Sequence, residues 1–202
     1  MSGPVRGISP PPAIEPLPVV EGGFSIIVAD PPWLFAANSE AKPGKGARRH
    51  YPCMTLPQIM ALPVAEVAAR DAILLLWTTV PFRHRADEVV RAWGFRSVSE
   101  LTWPKGRIGT GYWARNAHEP CIIARRGRFP CPRPALFPTS IIPGKAREHS
   151  RKPEWVQDQI DARLPDARKL ELFGRRERNG WTVWGNDTGK FAAPERLPMN
   201  ME

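Results

Sequence analysis

Cysteine is scarce in this sequence. There are three in 202 residues (Cys53, Cys121 and Cys131), and no pair forms a C-x-x-C. An odd and scattered set excludes a disulfide framework. The four histidines (His50, His84, His118, His149) are as scattered and show no metal-ligand spacing. The expectation is a reducing, cytoplasmic compartment and a chemistry without metal. Long apolar runs are missing too. The longest, Ala72 to Trp77, falls far short of the roughly 18 residues of a membrane span. The amino-terminal stretch has no apolar h-region, so no secretory signal is expected. Acidic residues are in deficit, 20 Asp and Glu against 29 Lys and Arg, which leaves a formal charge of +9. That excess favours a polyanionic partner, although solubility alone can produce the same balance.

Proline is plentiful at 24, more than a helical bundle tolerates, and tryptophan reaches eight. Six of the prolines fall in residues 1–22, which reads as an extended lead-in. A folded domain is expected over 23–190, with a flexible tail over 191–202. The first ordered element is Phe24 to Ala29, a short β-branched apolar run that reads as a strand buried on both faces. It stops at Asp30-Pro31-Pro32-Trp33, because two prolines cannot continue a ladder. Further strands are expected at Ala72–Trp77, Ser97–Trp103, Pro120–Ala124, Lys169–Phe173 and Trp181–Trp184. Helices are expected from Thr55 to about Met60, over Val64–Ala69, over Phe82–Trp93 closed by Gly94, and over Pro153–Leu164. Strands alternating with helices imply an α/β domain with a mostly parallel sheet and helices on both faces. Two basic loops, 38–50 and 125–148, exceed the usual connection length, as functional loops often do.

Ligands of open α/β sheets bind beyond the carboxyl ends of strands, where Asp30-Pro-Pro-Trp33 is expected to lie. A carboxylate and a proline carbonyl there could each accept an N–H from an exocyclic amine. Such an amine is a poor nucleophile because its lone pair is delocalised into its ring; two acceptors would draw the nitrogen toward sp³ and free the pair. Trp33 would offer a flat face for a base, a stacking worth roughly 1–3 kcal/mol. The competing reading is an acidic turn with a core tryptophan.

With these residues the chain resembles the MT-A70 family of S-adenosylmethionine-dependent adenine-N6 methyltransferases. The resemblance runs from Ile26-Ile-Val-Ala-Asp-Pro-Pro-Trp33 to Trp184-Gly-Asn186. Between them, in family order, stand Tyr51-x-x-Met54, Leu75-Leu-Trp77-x-Thr79, Trp93-Gly-Phe95, Gly111-Tyr-Trp113, Glu119, His149-Ser-Arg-Lys152-Pro153, Glu171-Leu-Phe-Gly-Arg175 and Trp181-x-x-x-Gly185-Asn186. The catalytic tetrapeptide precedes the main cofactor blocks, as in permuted amino-methyltransferases.

The resemblance implies a single Rossmann-like methyltransferase domain with S-adenosylmethionine as methyl donor. It assigns catalysis to Asp30, Pro31, Pro32 and Trp33. Cofactor contacts are expected from Asp30, Lys152 (toward the methionine carboxylate), Glu171, Arg175, Asn186 and Asp187, with Arg176 and Arg178 near the spacing of further family contacts. For Lys152 and Arg175 the plain alternative is a solvated cation or surface pair, and for Asn186 a turn residue. Substrate contacts are expected from Trp33, Tyr51, Trp113 and Glu119, Tyr51 being as well suited to a core position. Arg48, Arg49, Arg125, Arg126 and Arg128 are expected on phosphates. A proline segment stands where the family carries an acidic strand before the catalytic one. The expected reaction is in-line methyl transfer to adenine N6 in a flipped or single-stranded base. The chain's economy favours DNA over RNA. A catalytically dead nucleic-acid-binding subunit is the reading from another class, and the intact tetrapeptide with Lys152 argues against it. The sequence leaves monomer and homodimer equally open.

Overall fold

A computed structural model describes residues 15–34, 53–111, 113–145 and 151–185. In chain order its elements are β1 (Phe24–Ala29), α1 (Leu56–Met60), α2 (Val64–Val67), β2 (Ala68–Trp77), a 3-10 turn (Val80–Phe82), α3 (Arg83–Ala92), β3 (Arg96–Pro104), β4 (His118–Arg126), α4 (Trp155–Arg163), β5 (Lys169–Leu172) and β6 (Trp181–Trp184). The strands form one sheet in the order β3-β4-β2-β1-β5-β6. Pairings β2–β1, β1–β5 and β5–β6 are parallel, whereas β3–β4 and β4–β2 are antiparallel. This is the α/β Rossmann-like architecture, with an antiparallel hairpin on one flank.

The period-2 rule explains the layers. On β1, Ile27 and Ala29 point to one side, into a core shared with Ile59 of α1, Val64 of α2 and Val89 and Trp93 around α3. Ile26 and Val28 point to the other side, against Val156 and Ile160 of α4. Helices therefore cover both faces, and β1 reads as a continuous apolar run because neither face meets water. Local chemistry sets the ends. Thr55 caps α1, with Gln58 closing a capping box and proline in the first turn. Gly23 enters β1 at φ +70°, and a Cβ there would lie 2.6 Å from the Ala69 backbone nitrogen, so only glycine lets the two strands start side by side.

Two boundary differences bear on the site. β2 begins at Ala68, four residues early, because Ala68 already pairs with Phe24 ahead of a register shift, and the polar Arg70-Asp71 that follows carries no apolar signal. β4 runs from His118 to Arg126, so Arg125 and Arg126 belong to a strand paired with Ile73 and Ala72, not to the loop that follows.

Candidate functional site

After β1 the chain builds β2 on one side of it and returns to build β5 on the other, so a crevice opens at the carboxyl end of β1. Asp30 is the first residue there. Its backbone N–H still reaches the Leu172 carbonyl, at 3.4 Å. The two prolines then end the ladder. The Pro31 carbonyl accepts the Trp33 N–H at 2.8 Å, and the Pro32 carbonyl accepts the Met54 N–H at 2.8 Å. Each carbonyl keeps a second lone pair.

Lys152, just before α4, donates to both Asp30 oxygens, at 2.9 Å (Oδ1) and 2.8 Å (Oδ2). The same ammonium lies 3.2 Å from Glu119 Oε2. Lys105, at the end of β3, donates to Glu119 Oε1 at 2.7 Å. The result is a chain of alternating charge, Asp30–Lys152–Glu119–Lys105, with the Lys152 ammonium 5.6 Å from the Trp77 ring centroid. Burial works to lower the Lys152 pKa, but Asp30 and Glu119 outweigh it and hold the ammonium charged. Burial likewise opposes ionisation of Glu119, and the two lysines outweigh it, leaving its carboxyl below the usual value. At Asp30 burial prevails over the pull of Lys152, so its carboxyl sits above the usual value. The Asp30 side chain keeps 29% exposure against 13% for Lys152, which leaves the carboxylate as the group facing outward.

A cavity of about 370 Å³ opens beside it, between the ends of β1 and β5 and the start of α4. Asp30, Lys152, Glu171, Arg175 and Arg178 are among its walls. The segment after β5 shapes the far side. Phe173 takes a left-handed φ of 65°, and a Cβ on Gly174 would fall 2.3 Å from Val183 Cγ1, so the chain turns tightly back toward the cavity. Both charge signs line the cavity. That donor set suits a ligand carrying an ammonium, a carboxylate and hydroxyls together, and its volume is that of an ordinary small-molecule site. Gln157 of α4 adds a buried Oε1 without a partner among the described residues.

Glu171 accepts from Gln157 Nε2 at 3.3 Å. Burial pushes its carboxyl up to about 7; Arg178 pulls the other way and Asp30 adds to the rise. The native state therefore holds this proton more tightly than the unfolded chain. The associated stability is complete below the ordinary value of 4.5 and is lost as pH rises to about 7. In Glu171→Gln that slope should disappear, a change on the order of 2–3 kcal/mol across the window. Urea titrations at pH 4.5 and pH 7.5 check it, and equal pH dependence in both proteins would show Glu171 to be freely solvated.

Asp30, Pro31, Lys152, Glu119, Glu171 and Arg175 converge on this end of the sheet. Trp33 does not fit its expected role. It is 4% exposed, its indole N–H donates to the Trp77 carbonyl at 3.1 Å, and its ring stacks on Phe82 with centroids 5.5 Å apart. Its face is occupied by the core, so it cannot stack on a base; it anchors the turn that carries Asp30. Trp113 is fully exposed on the β3–β4 connection, at the Asp30 end of the sheet. Arg125, Arg126 and Arg128, expected on phosphates, lie away from the Asp30 end. β4 runs antiparallel to β2, so its carboxyl end lies beside Ala72, at the opposite margin from Trp77 and Asp30. Arg126 is tied to the Ala65 carbonyl at 2.6 Å. Tyr51, Arg48, Arg49, Asn186 and Asp187 lie outside the described residues.

Four participants escaped the sequence reading: Lys105, Trp77, Gln157, and Glu154, which joins Arg151 and Arg176. Apart from the local Arg151–Glu154 pair, they act through partners farther along the chain, such as Gln157 on Glu171 or Lys105 on Glu119. No local pattern announces such pairs. The one available signal was Lys105 directly after the Trp103-Pro104 strand end.

A family model described as MT-A70 matches residues 24–187. The chain is 28% identical over 178 residues to the Type II methyltransferase M.MunI of Mycoplasma sp, covering 80% of this chain and 76% of that protein. It is 30% identical over 175 residues to the N(6)-adenosine-methyltransferase MT-A70-like protein of Arabidopsis thaliana, covering 82% of this chain and 24% of the other. To the human N(6)-adenosine-methyltransferase catalytic subunit METTL3 it is 28% identical over 179 residues, covering 82% of this chain and 28% of the relative. The chain thus spans most of the Mycoplasma protein and about a quarter of the plant and human ones. No helix among the described residues is long and apolar enough to cross a membrane.

Proposed function

The chain belongs to the MT-A70 family of S-adenosylmethionine-dependent N6-adenine methyltransferases, and we propose that it methylates adenine N6 in DNA. The observation that carries the chemistry is the Asp30 carboxylate, set at the switch point of the sheet and held from behind by Lys152. Each Asp30 oxygen has a lone pair beyond the one that Lys152 uses. One can accept an N–H of the adenine amine, and the free lone pair of the Pro31 carbonyl can accept the other. As nitrogen attacks, it acquires positive charge. A carboxylate in a partly desolvated crevice is worth most at that moment, because it is already in place and needs no reorganisation. With S-adenosylmethionine bound, the N–C bond would form as the C–S bond broke with its electron pair left on sulfur, and Asp30 would be the acceptor at hand for the proton that nitrogen then sheds.

S-adenosylmethionine, when bound, supplies the electrophilic methyl group. Glu171 and Arg175 are suited to its polar groups, and Lys152 to its carboxylate only if it releases part of its hold on Asp30 or Glu119. DNA as substrate rests on the long shared span with M.MunI, named a Type II methyltransferase, of which the chain covers 76%. RNA is favoured by the plant and human relatives, whose names specify adenosine. Parallel assays decide between them. Matched DNA and RNA oligonucleotides carrying each adenine context, incubated with labelled cofactor, should show transfer to DNA at ten or more times the RNA rate. Faster labelling of the RNA set would assign the enzyme to RNA.

A further inference from the structure

The two-stranded hairpin of β3 and β4 carries a pair of arginines that the site does not use. Arg96 of β3 stands directly opposite Arg125 of β4 in the ladder. Direct cross-strand partners share a face with Cβ atoms about 5 Å apart, and like charges there repel. The face is the one under α4, because Ile73, the β2 partner of Arg125, packs in that layer together with Val28 and Trp77. The catalytic cavity opens on this same face.

Elsewhere the hairpin balances its charges: Glu100 on β3 is matched by Arg83. Ion pairs among the described residues engage Arg83, Arg85, Arg151, Arg176 and Arg178, and none engages Arg96 or Arg125. Arg125 Nε is buried and has no hydrogen-bond partner among the described residues. A buried donor without an acceptor is a standing cost of folding, and its ladder partner Arg96 is exposed on the edge strand. An anion at the exposed side of this arginine pair would offset the like-charge repulsion. Arg128 lies just past the end of β4, exposed, its backbone N–H held by Asp71.

The distance to the chemistry selects the kind of anion. Arg125 pairs with Ile73, four residues before the end of β2. At about 3.3 Å per residue, and about 4.8 Å for each of the two strand steps to β1, the pair lies about 16 Å from the Asp30 end. A cofactor cannot span both places. A nucleic acid rising about 3.4 Å per base pair covers the gap in about five. We propose that Arg96 and Arg125, with Arg128 at the rim, form a second seat for the phosphodiester backbone of the substrate, about five base pairs from the methylated base. This rests on the nucleic-acid reading given above and adds a binding surface remote from the catalytic crevice.

Hairpin-closed duplexes test it, with the target adenine flanked by about three or by about twelve base pairs. Wild-type enzyme should bind and methylate the long duplex with the lower KM. The double variant Arg96→Gln/Arg125→Gln should lose on the order of tenfold per arginine in that advantage at 0.1 M salt, and its log–log salt slope should fall by about two. Its kcat and its KM for the short duplex should not change. Arg96→Lys/Arg125→Lys, which keeps the charge, should retain the slope, and thermal melts verify that each variant is folded. Equal KM for both duplexes in the wild type, or an unchanged slope in the folded Gln variant, overturns the proposal. Fluorescence anisotropy with the same duplexes reads the slope without turnover. Absent methylation with an intact length effect would therefore count against the proposed reaction and for the seat.

Discussion

Asp30→Asn should lower methyl transfer by on the order of a hundredfold or more while leaving the fold intact. The substitution is isosteric, so the turn built on the Pro31 and Pro32 carbonyls keeps its hydrogen bonds. The chemistry does not survive. Lys152 donates to both oxygens of Asp30, and the single amide oxygen of Asn would be drawn to that ammonium. The amide NH₂ then points at the crevice and opposes the hydrogens of the substrate amine. Single-turnover rates with saturating cofactor check this, since they separate the transfer step from binding. A rate within a few-fold of wild type would mean that Asp30 only organises the ion chain.

Lys152→Met should have the second largest effect, and it acts on two quantities at once. The variant leaves Asp30 and Glu119 facing each other without their shared cation. Removing one partner from a buried pair exposes the desolvation cost of what remains, here roughly 2–4 kcal/mol of stability after allowing for the partial exposure of Asp30. Lys152 also holds the Asp30 pKa down against burial. Without it that pKa rises, and more of the carboxyl is protonated near neutrality. The acid limb of the pH profile of kcat/KM should therefore move upward. Cofactor affinity should fall by roughly 1.5–3 kcal/mol if the ammonium also meets the cofactor carboxylate. Calorimetry reads the affinity and the pH profile reads Asp30. An unshifted acid limb would show that Lys152 does not set the charge of Asp30.

Much of this was legible in the chain because the signals were local. The run Phe24–Ala29 followed by two prolines marks both a doubly buried strand and its end, and so places Asp30 at a strand terminus without any coordinates. The Thr55 cap and the Pro57 first turn likewise identify α1. Trp33 was misread because composition cannot tell which way an aromatic ring turns after a proline turn; burial against Phe82 decides it. Arg125 and Arg126 are expected in a loop because a basic stretch after an apolar strand reads as one. Only the antiparallel register of β4 sends them to the far margin. The charge chain from Asp30 to Lys105 is not visible as a chain in the sequence, since its four members lie just after β1, just before α4, in β4 and just after β3. Side-chain networks across such distances follow from topology, which single-residue signals do not carry.

The most direct test of the central claim is the identity of the methylated atom. Wild-type enzyme and Asp30→Asn are incubated with labelled S-adenosylmethionine and an adenine-containing DNA oligonucleotide, and the digested product is resolved by mass spectrometry. The account predicts N6-methyladenine from the wild type, its near absence with Asp30→Asn, and no label when every adenine is replaced. Label on cytosine, on a ring nitrogen of adenine, or at undiminished yield in Asp30→Asn would contradict it.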